Sequence, residues 1–481
     1  MLGRNRAYSC VQTGMYRRLD VNTRSENEID MLNGKILPRI FRFALPLALS
    51  GILQLLFNAA DVIVVGRFVG PQALAAVGST GSLTNLITNL FIGLSVGVNV
   101  VVATNYAAQK YREVSRVVHT SIATALVSGV FLIGVGILVS RPALTAMDSP
   151  ADVLPLSTLY MRIYFCGMPF IMLYNFGSAV LRSIGDTKRP LYYLFAAGIV
   201  NVCLNLVFVI VCNLGVAGVA IATVMSYVVS GTLVLIALMR EKSCLHLDLK
   251  KLNLDLDVIK KFAVVGIPAG MQSIIFNISN IMIQSSVNSF GSLCMAGNSA
   301  ASNLEGFQYT AMHSIYTAAI TFMGQNMGAR KYSRLNKIVK ASLLCSLLVS
   351  AVFIGIYSLF GTDLLHLYTS DAEVVSWAMR RLHIFILGYW LCGLMDCGSG
   401  FLRGMGYGTL PTVITLIGAC GLRILWLFTV FAANHDYEVL LWGYPISWTV
   451  TFIALIICYF AARKRLPAGD ATEEAVKIPG D

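Results

Sequence analysis

"FALPLALSGILQLLFNAAD", residues 43–61, is an apolar run long enough to cross most of a bilayer, and it ends on a carboxylate. A second run, "FAVVGIPAGMQSIIFNISN", occupies residues 262–280. Gly51 and Gly270, Phe57 and Phe276, and Asn58 and Asn277 fall in register, while Asp61 is answered by Asn280. Two further pairs keep nearly the same spacing: "NYAAQKY" (105–111) with "NMGARKY" (326–332), and "LRSIGDTKRP" (181–190) with "LRGMGYGTLP" (402–411). Three registered matches point to an internal duplication of the chain.

The composition decides what is duplicated. Hydrophobic residues make up 56% of the 481 positions and charged residues only 12%, with a mean hydropathy of +0.71. A soluble domain carries about 25% charged residues, so this mixture cannot cover a water-facing surface. Residues 68–109, 191–239 and 262–304 contain no Asp, Glu, Lys or Arg. Each holds two spans of about 20 residues, the length that crosses a hydrocarbon core. The chain reads as an all-α polytopic membrane protein.

Apolar runs between breakers give twelve spans, near 43–65, 74–104, 117–140, 157–181, 191–212 and 217–239, then 262–288, 294–327, 338–360, 374–402, 411–432 and 439–462. Lys and Arg collect in alternate loops, at Lys110, Arg112 and Arg116, at Lys188 and Arg189, and at Arg330, Lys331, Arg334 and Lys337. The opposite side holds only Arg67, Arg141, Arg162, Arg380 and Arg381 at loops and helix ends. This bias puts both termini in the cytoplasm of a multi-pass cell-membrane protein. Residues 1–42 read as a cytoplasmic tail, 43–239 as an N-lobe, 240–261 as a cytoplasmic linker, 262–462 as a C-lobe and 463–481 as a second tail. Six spans per half, an even number, make the halves parallel repeats with a binding cavity between them.

The net charge of +12 is a topology signal in this distribution, so nucleic acid is not expected as a partner. The eleven cysteines form no CxxC or Cys/His cluster and read as small core residues. No GxxxxGK[ST] occurs, no catalytic constellation or cofactor motif is present, and no metal-ligand set is visible. A resident cofactor is not expected. His119, His313 and His383 read as structural.

The residues that demand a reason are polar ones inside spans. A carboxylate at a span centre costs roughly 2.5–3.5 kcal/mol on insertion scales. Gln54, Asn58 and Asp61 share one helical face, matched in the second half by Ser273, Asn277 and Asn280 with Gln284 a turn on. Such stripes face a bundle interior or a watery cavity. The second half shows that Asn suffices structurally where Asp61 stands. The fifth span offers Asn201 and Asn205 on one face, and the fourth Tyr160, Tyr164 and Asn175, ending in Arg182. Arg182 and Arg403 read as snorkelling toward the cytoplasmic interface. Glu305, Asp396 and Arg423 lie deep in the second half, where Arg423 pairs with Asp396 or Glu305 or else serves function.

"FALPLALSGILQLLFNAADVIVVGRFVGPQALAAVG", "GQNMGARKY" and "LRSIGDTKRPLYY" resemble the multidrug and toxic-compound extrusion (MATE) transporters of the MOP flippase superfamily. The resemblance covers roughly residues 35–465. It implies two six-helix lobes in a V shape around a central cavity, exporting cationic organic compounds in exchange for protons or sodium ions. By position, Asp61 matches the family's first-helix aspartate implicated in cation coupling, and Asn201 an asparagine of the same N-lobe site. Asn205 departs from the aspartate some members carry. The seventh span lacks the acid found in some branches, and Asp396 lies nearer the Arg-Gly motif than the family's tenth-helix aspartate.

The expected site is therefore Asp61, Asn58, Asn201 and Asn205 for ion coupling. Gln54, Asn175, Tyr164, Asn277, Asn280, Glu305, Asp396 and Arg423 are the expected lining for small organic cations. A monomer in the lipid bilayer is expected, with the proton preferred over sodium at Asp61 because one carboxylate suffices for it. The rival readings are a lipid-linked oligosaccharide flippase, which needs basic residues in its cavity, and a non-transporting receptor or scaffold.

Overall fold

The computed structural model describes residues 28–147, 150–467 and 469–470, so the expected tails lie largely outside the described residues, from 1 to 27 and from 471 onward. Among these residues twelve helices follow one another, all but α8 long and apolar enough to cross a membrane: α1 (Ile36–Phe68), α2 (Pro71–Ala107), α3 (Tyr111–Ala146), α4, α5 (Lys188–Val211), α6 (Gly215–Arg240), α7 (Leu256–Asn288), α8 (Ser292–Gly328), α9 (Leu335–His366), α10 (Ala372–Gly404), α11 (Thr409–Phe431) and α12 (Tyr437–Lys464). The fourth, α4, bends by 49° where Leu154–Cys166 meets Met168–Ser183. The twelve sequence-predicted spans fall on these helices to within a few residues, although most helices run further at their ends.

Helix ends follow local chemistry. Asp255, Asp371 and Asp436 each cap the helix that follows, accepting hydrogen bonds from two backbone N–H groups of the first turn. The Arg116 guanidinium beside Asp255 holds its carboxyl below the usual carboxylate range. Gly70 and Gly291 turn the chain into α2 and α8 at φ of 118° and 95°, values that a side chain disfavours. Glu113 links Arg116 at 2.8 Å and Lys261 at 3.4 Å, and His119 Nε2 accepts from the Asp248 N–H at 3.1 Å. His119 thus pins the 240–261 linker, the structural use expected of it.

The first helix of each half reaches into the core of the other. Phe43 is fully buried in a cluster dominated by C-half residues, edge-on to Phe322 at 5.9 Å. Its repeat partner Phe262 is fully buried among Met168, Phe165 and Phe176 of the N-half. Both lie at the end of the bundle that carries the linker. There α2 and α7 cross through Gly93, Gly97, Gly266 and Gly270, whose missing side chains let backbone meet backbone. Thr321 donates to Asn99 at 3.0 Å across the same seam, and Gln325 donates to the Ser183 carbonyl at 2.7 Å. The lobes are closed at the linker end, and the polar residues Gln54, Asn58, Ser273 and Asn280 stay exposed further along α1 and α7.

Candidate functional site

The N-lobe pocket is built where α1, α5 and α6 meet. Gln54, Asn58 and Asp61 line it from α1, Asn201 from α5, and Thr223, Ser226 and Tyr227 from α6. Its volume is about 40 Å³, room for a few waters or a bare cation. Asp61 is 6% exposed. Asn205 Nδ2 donates to Asp61 Oδ1, and Thr223 Oγ1 donates to Asp61 Oδ2 at 3.3 Å. Asn205 Nδ2 also reaches Asn201 Oδ1 at 3.3 Å, and Asn201 Nδ2 reaches Thr223 Oγ1 at 3.5 Å. Asn205 Oδ1 is buried without a partner. A π-helical turn, Val207–Val211, follows Asn205, a distortion common beside functional residues.

Asp61, Asn201 and Asn205 are therefore brought together, with Asn58 and Gln54 on the same pocket wall. Thr223 completes the shell and was not among the sequence candidates. Its signal was a stripe, Thr223, Ser226 and Ser230, along one face of α6. Tyr164, expected in the lining, stacks on Tyr160 at 6.3 Å and meets the pocket residue Tyr227 edge-on at 6.4 Å, but lines neither pocket described here. Asn175 donates to the Ile171 carbonyl of its own helix at 2.9 Å and lines neither pocket described here.

A larger cavity of about 670 Å³ lies in the C-lobe between α7, α8, α10, α11 and α12, with α2 as one wall. Asn277, Asn280, Glu305, Asp396 and Arg423 all line it, together with Tyr389. The pairing expected of Arg423 is absent. Glu305 instead accepts a bidentate bond from Arg381, at 2.7 Å to each oxygen. Arg381 also donates to Asn298 Oδ1 at 2.6 Å, and Asn298 is held by Gln284 and Tyr437. Arg381, placed at an outer helix end by the charge pattern, is 7% exposed inside the lobe, while its neighbour Arg380 faces Glu438 at 3.0 Å. Successive helical residues point about 100° apart, which separates the two arginines.

Arg403 does not snorkel. It is 3% exposed and donates to Tyr316 Oη, to Gln272 Oε1 at 2.7 Å and to Thr412 Oγ1 at 3.2 Å. Arg182 is half-buried and donates to the Ser178 carbonyl at 3.1 Å. His313, read from sequence as structural, lines the cavity with Nδ1 3.8 Å from Asp396 Oδ2. The cavity thus holds Arg381, Arg403 and Arg423 against Glu305 and Asp396. Acids do not outnumber bases there: of the three arginines only Arg423 was a candidate from the sequence.

The Glu305–Arg381 pair is a structural clamp between α8 and α10. Removing one partner of a buried pair costs about 3–5 kcal/mol, because a desolvated charge remains. Glu305→Gln should lower thermal stability in detergent by that order, and Glu305→Gln with Arg381→Met should recover much of it. A double variant less stable than the single would contradict the clamp.

Both halves match one family model, MatE, over residues 46–207 and 268–429. The chain belongs to the MatE family. It is 28% identical to the probable multidrug resistance protein YoeA of Bacillus subtilis over 87% of this chain and 92% of that protein. It is 20% identical to the multidrug export protein MepA of Staphylococcus saprophyticus over 90% and 95% of the two chains. Among solved structures, it is similar to a multidrug resistance MATE transporter of the MOP superfamily in an outward-facing conformation, with TM-score 0.85, 20% identity, and 92% and 99% coverage. It is equally similar in fold to a Pyrococcus furiosus MOP-superfamily transporter described as having a binding pocket of reverse polarity, with TM-score 0.86, 20% identity and the same coverage. This MatE chain is a multi-pass membrane protein of a transporter family with the two-lobed, twelve-helix fold. Its membership gives the duplication its meaning, since each half carries one copy of the matched unit.

Proposed function

We propose that this MatE protein is a secondary exporter that carries bulky organic cations out across the cell membrane in exchange for protons, with Asp61 as the coupling group. One observation carries the reading: Asp61 is buried in a small pocket and every hydrogen bond it accepts there comes from a neutral donor, Asn205 or Thr223. A lone buried charge is costly, and a bound proton or cation offsets it. The residue that wins or loses that ion in step with the state of the lobes converts a gradient into movement. The similarity to proteins named for multidrug resistance and export supports the substrate class. Aromatic walls at Tyr389, Phe385 and Trp448 supply cation–π and apolar contacts.

Alternating access follows on this reading: the linker end is the closed inner gate, and the seam of Gly93, Gly97, Gly266 and Gly270 opens when the cavity turns inward. Both termini and the linker lie in the cytoplasm, and the working unit is a monomer. Cysteine labelling of linker positions from outside intact cells would overturn this orientation; labelling only after permeabilisation is expected.

Sodium is the second reading. Asn205 Oδ1 is buried and unpartnered, and with the oxygens of Asp61, Asn201 and Thr223 it could contribute to a cation shell of oxygen ligands. Purified protein in liposomes decides between the two ions. A pH gradient at constant sodium should drive substrate, and a sodium gradient at constant pH should not. Movement driven by sodium alone would end the proton assignment.

A further inference from the structure

Arg423 is unlike the other buried arginines. Arg381 meets a carboxylate through both ends of its fork, and Arg403 is hydrogen-bonded by three side chains. Arg423 is 4% exposed, yet among the described residues its only hydrogen bond runs from Nε to Ser447 Oγ at 3.0 Å, and no carboxylate lies within ion-pair distance. A guanidinium carries five N–H donors. The rest of this one lies over the rings of Tyr444, Trp448 and Phe276, at 4.4, 5.4 and 5.7 Å from their centroids, on the wall of the 670 Å³ cavity. Ring faces steady a cation but accept none of its in-plane hydrogen bonds. Two π-helical turns, Leu416–Gly421 and Leu427–Phe431, flank the short segment that presents it. Asp396 lines the same cavity, its Oδ2 buried without a hydrogen-bond partner and 3.8 Å from His313 Nδ1.

We propose that Arg423 is an anion-binding residue of the C-lobe cavity, and that the favoured substrates are dipolar amphiphiles. Their carboxylate, sulfonate or phosphate meets Arg423, and their cationic group lies toward Asp396. The inference rests on the export reading above and shifts its substrate class, from net cations to compounds that carry an oxyanion beside their cationic group. An arginine fork matches such oxyanions bidentately. The apolar body of the ligand fits between Phe276, Tyr389 and Trp448. A purely cationic compound leaves the guanidinium unanswered and brings a like charge into a cavity with three arginines.

The test uses two dyes that differ only at this group: rhodamine B, a zwitterion, and its ethyl ester, a cation. Binding to the purified full-length protein in dodecyl maltoside micelles, whose headgroups carry no phosphate, is read by fluorescence anisotropy, with no ion gradient. Failure of Asp61 coupling therefore cannot produce or hide the result. Wild-type protein should bind the acid about tenfold or more tightly than the ester, as expected for a charge-assisted hydrogen bond. Arg423→Gln should erase that preference through the acid alone, and Arg423→Lys should keep part of it. An ester bound as tightly as the acid by wild-type protein overturns the proposal whether or not the variants fold. So does an acid preference that survives in Arg423→Gln. A lipid headgroup offers the same chemistry, so the measurement is repeated with phosphatidylcholine and with phosphatidylglycerol added to the micelle. Loss of the acid's advantage there assigns the site to lipid phosphate, and its persistence assigns it to the soluble ligand.

Discussion

Asp61→Asn protein will reach the membrane in wild-type amount and confer no drug resistance on cells that express it. The first half of that result follows from the repeat, since Asn280 occupies the matching position of α7 without a carboxylate. The amide keeps the volume and can still accept from Thr223. The second half follows from chemistry: a carboxamide neither binds a proton near neutral pH nor brings a charge to a cation. Export should fall to the level of cells lacking the protein, measured as accumulation of rhodamine B and of its cationic ester beside a membrane immunoblot. Full resistance at normal expression would remove Asp61 from the mechanism.

Gly97→Val should stop transport as well, while leaving Asp61 and its pocket intact. A Cβ at Gly97 falls on the backbone of Phe262, and the neighbouring Gly93 meets the backbone of Gly270 in the same way. Backbone cannot swing aside as a side chain does, so the seam must part. Overpacking of this kind costs about 1–3 kcal/mol or more, enough to shift a two-state balance by tenfold and beyond. The closed linker end should be depopulated, and a cysteine placed in the seam should become accessible from the linker side. Gly134→Val is the control, because nothing lies within 4 Å of that position. Wild-type transport by Gly97→Val would show that the crossing does not gate the protein.

The sequence carried the two-fold architecture and the N-lobe site further than the C-lobe site, for physical reasons. Asp61, Asn58 and Gln54 sit on one face of one helix, and Asn201 and Asn205 on one face of another, so periodicity alone assembled two of the three walls. Thr223 escaped because a threonine in an apolar helix usually bonds its own backbone, as this one also does to Val219. The C-lobe charges were misjudged because their partners are remote in the chain. Glu305 and Arg381 are separated by several turns and a whole intervening span, and a count of loop charges assigns Arg381 to the outside with Arg380. Arg403 looked like an interface residue by its distance from the helix end, yet Gln272 and Thr412 give it acceptors within the bundle. The exchange of Phe43 and Phe262 between cores is visible in the sequence only as two matching phenylalanines at the head of each repeat. Which half each one serves is decided by the packing of α1 on α8 and of α7 on α2.

The central claim is that Asp61 exchanges an ion for substrate. It is tested most directly by reconstituting wild-type and Asp61→Asn protein in liposomes loaded with a pH-sensitive dye and adding a rhodamine substrate under sodium-free conditions. Wild-type protein is expected to move protons against substrate, so that the internal pH changes when substrate is added, and Asp61→Asn should give no change. Proton movement of wild-type size through Asp61→Asn protein would contradict the account.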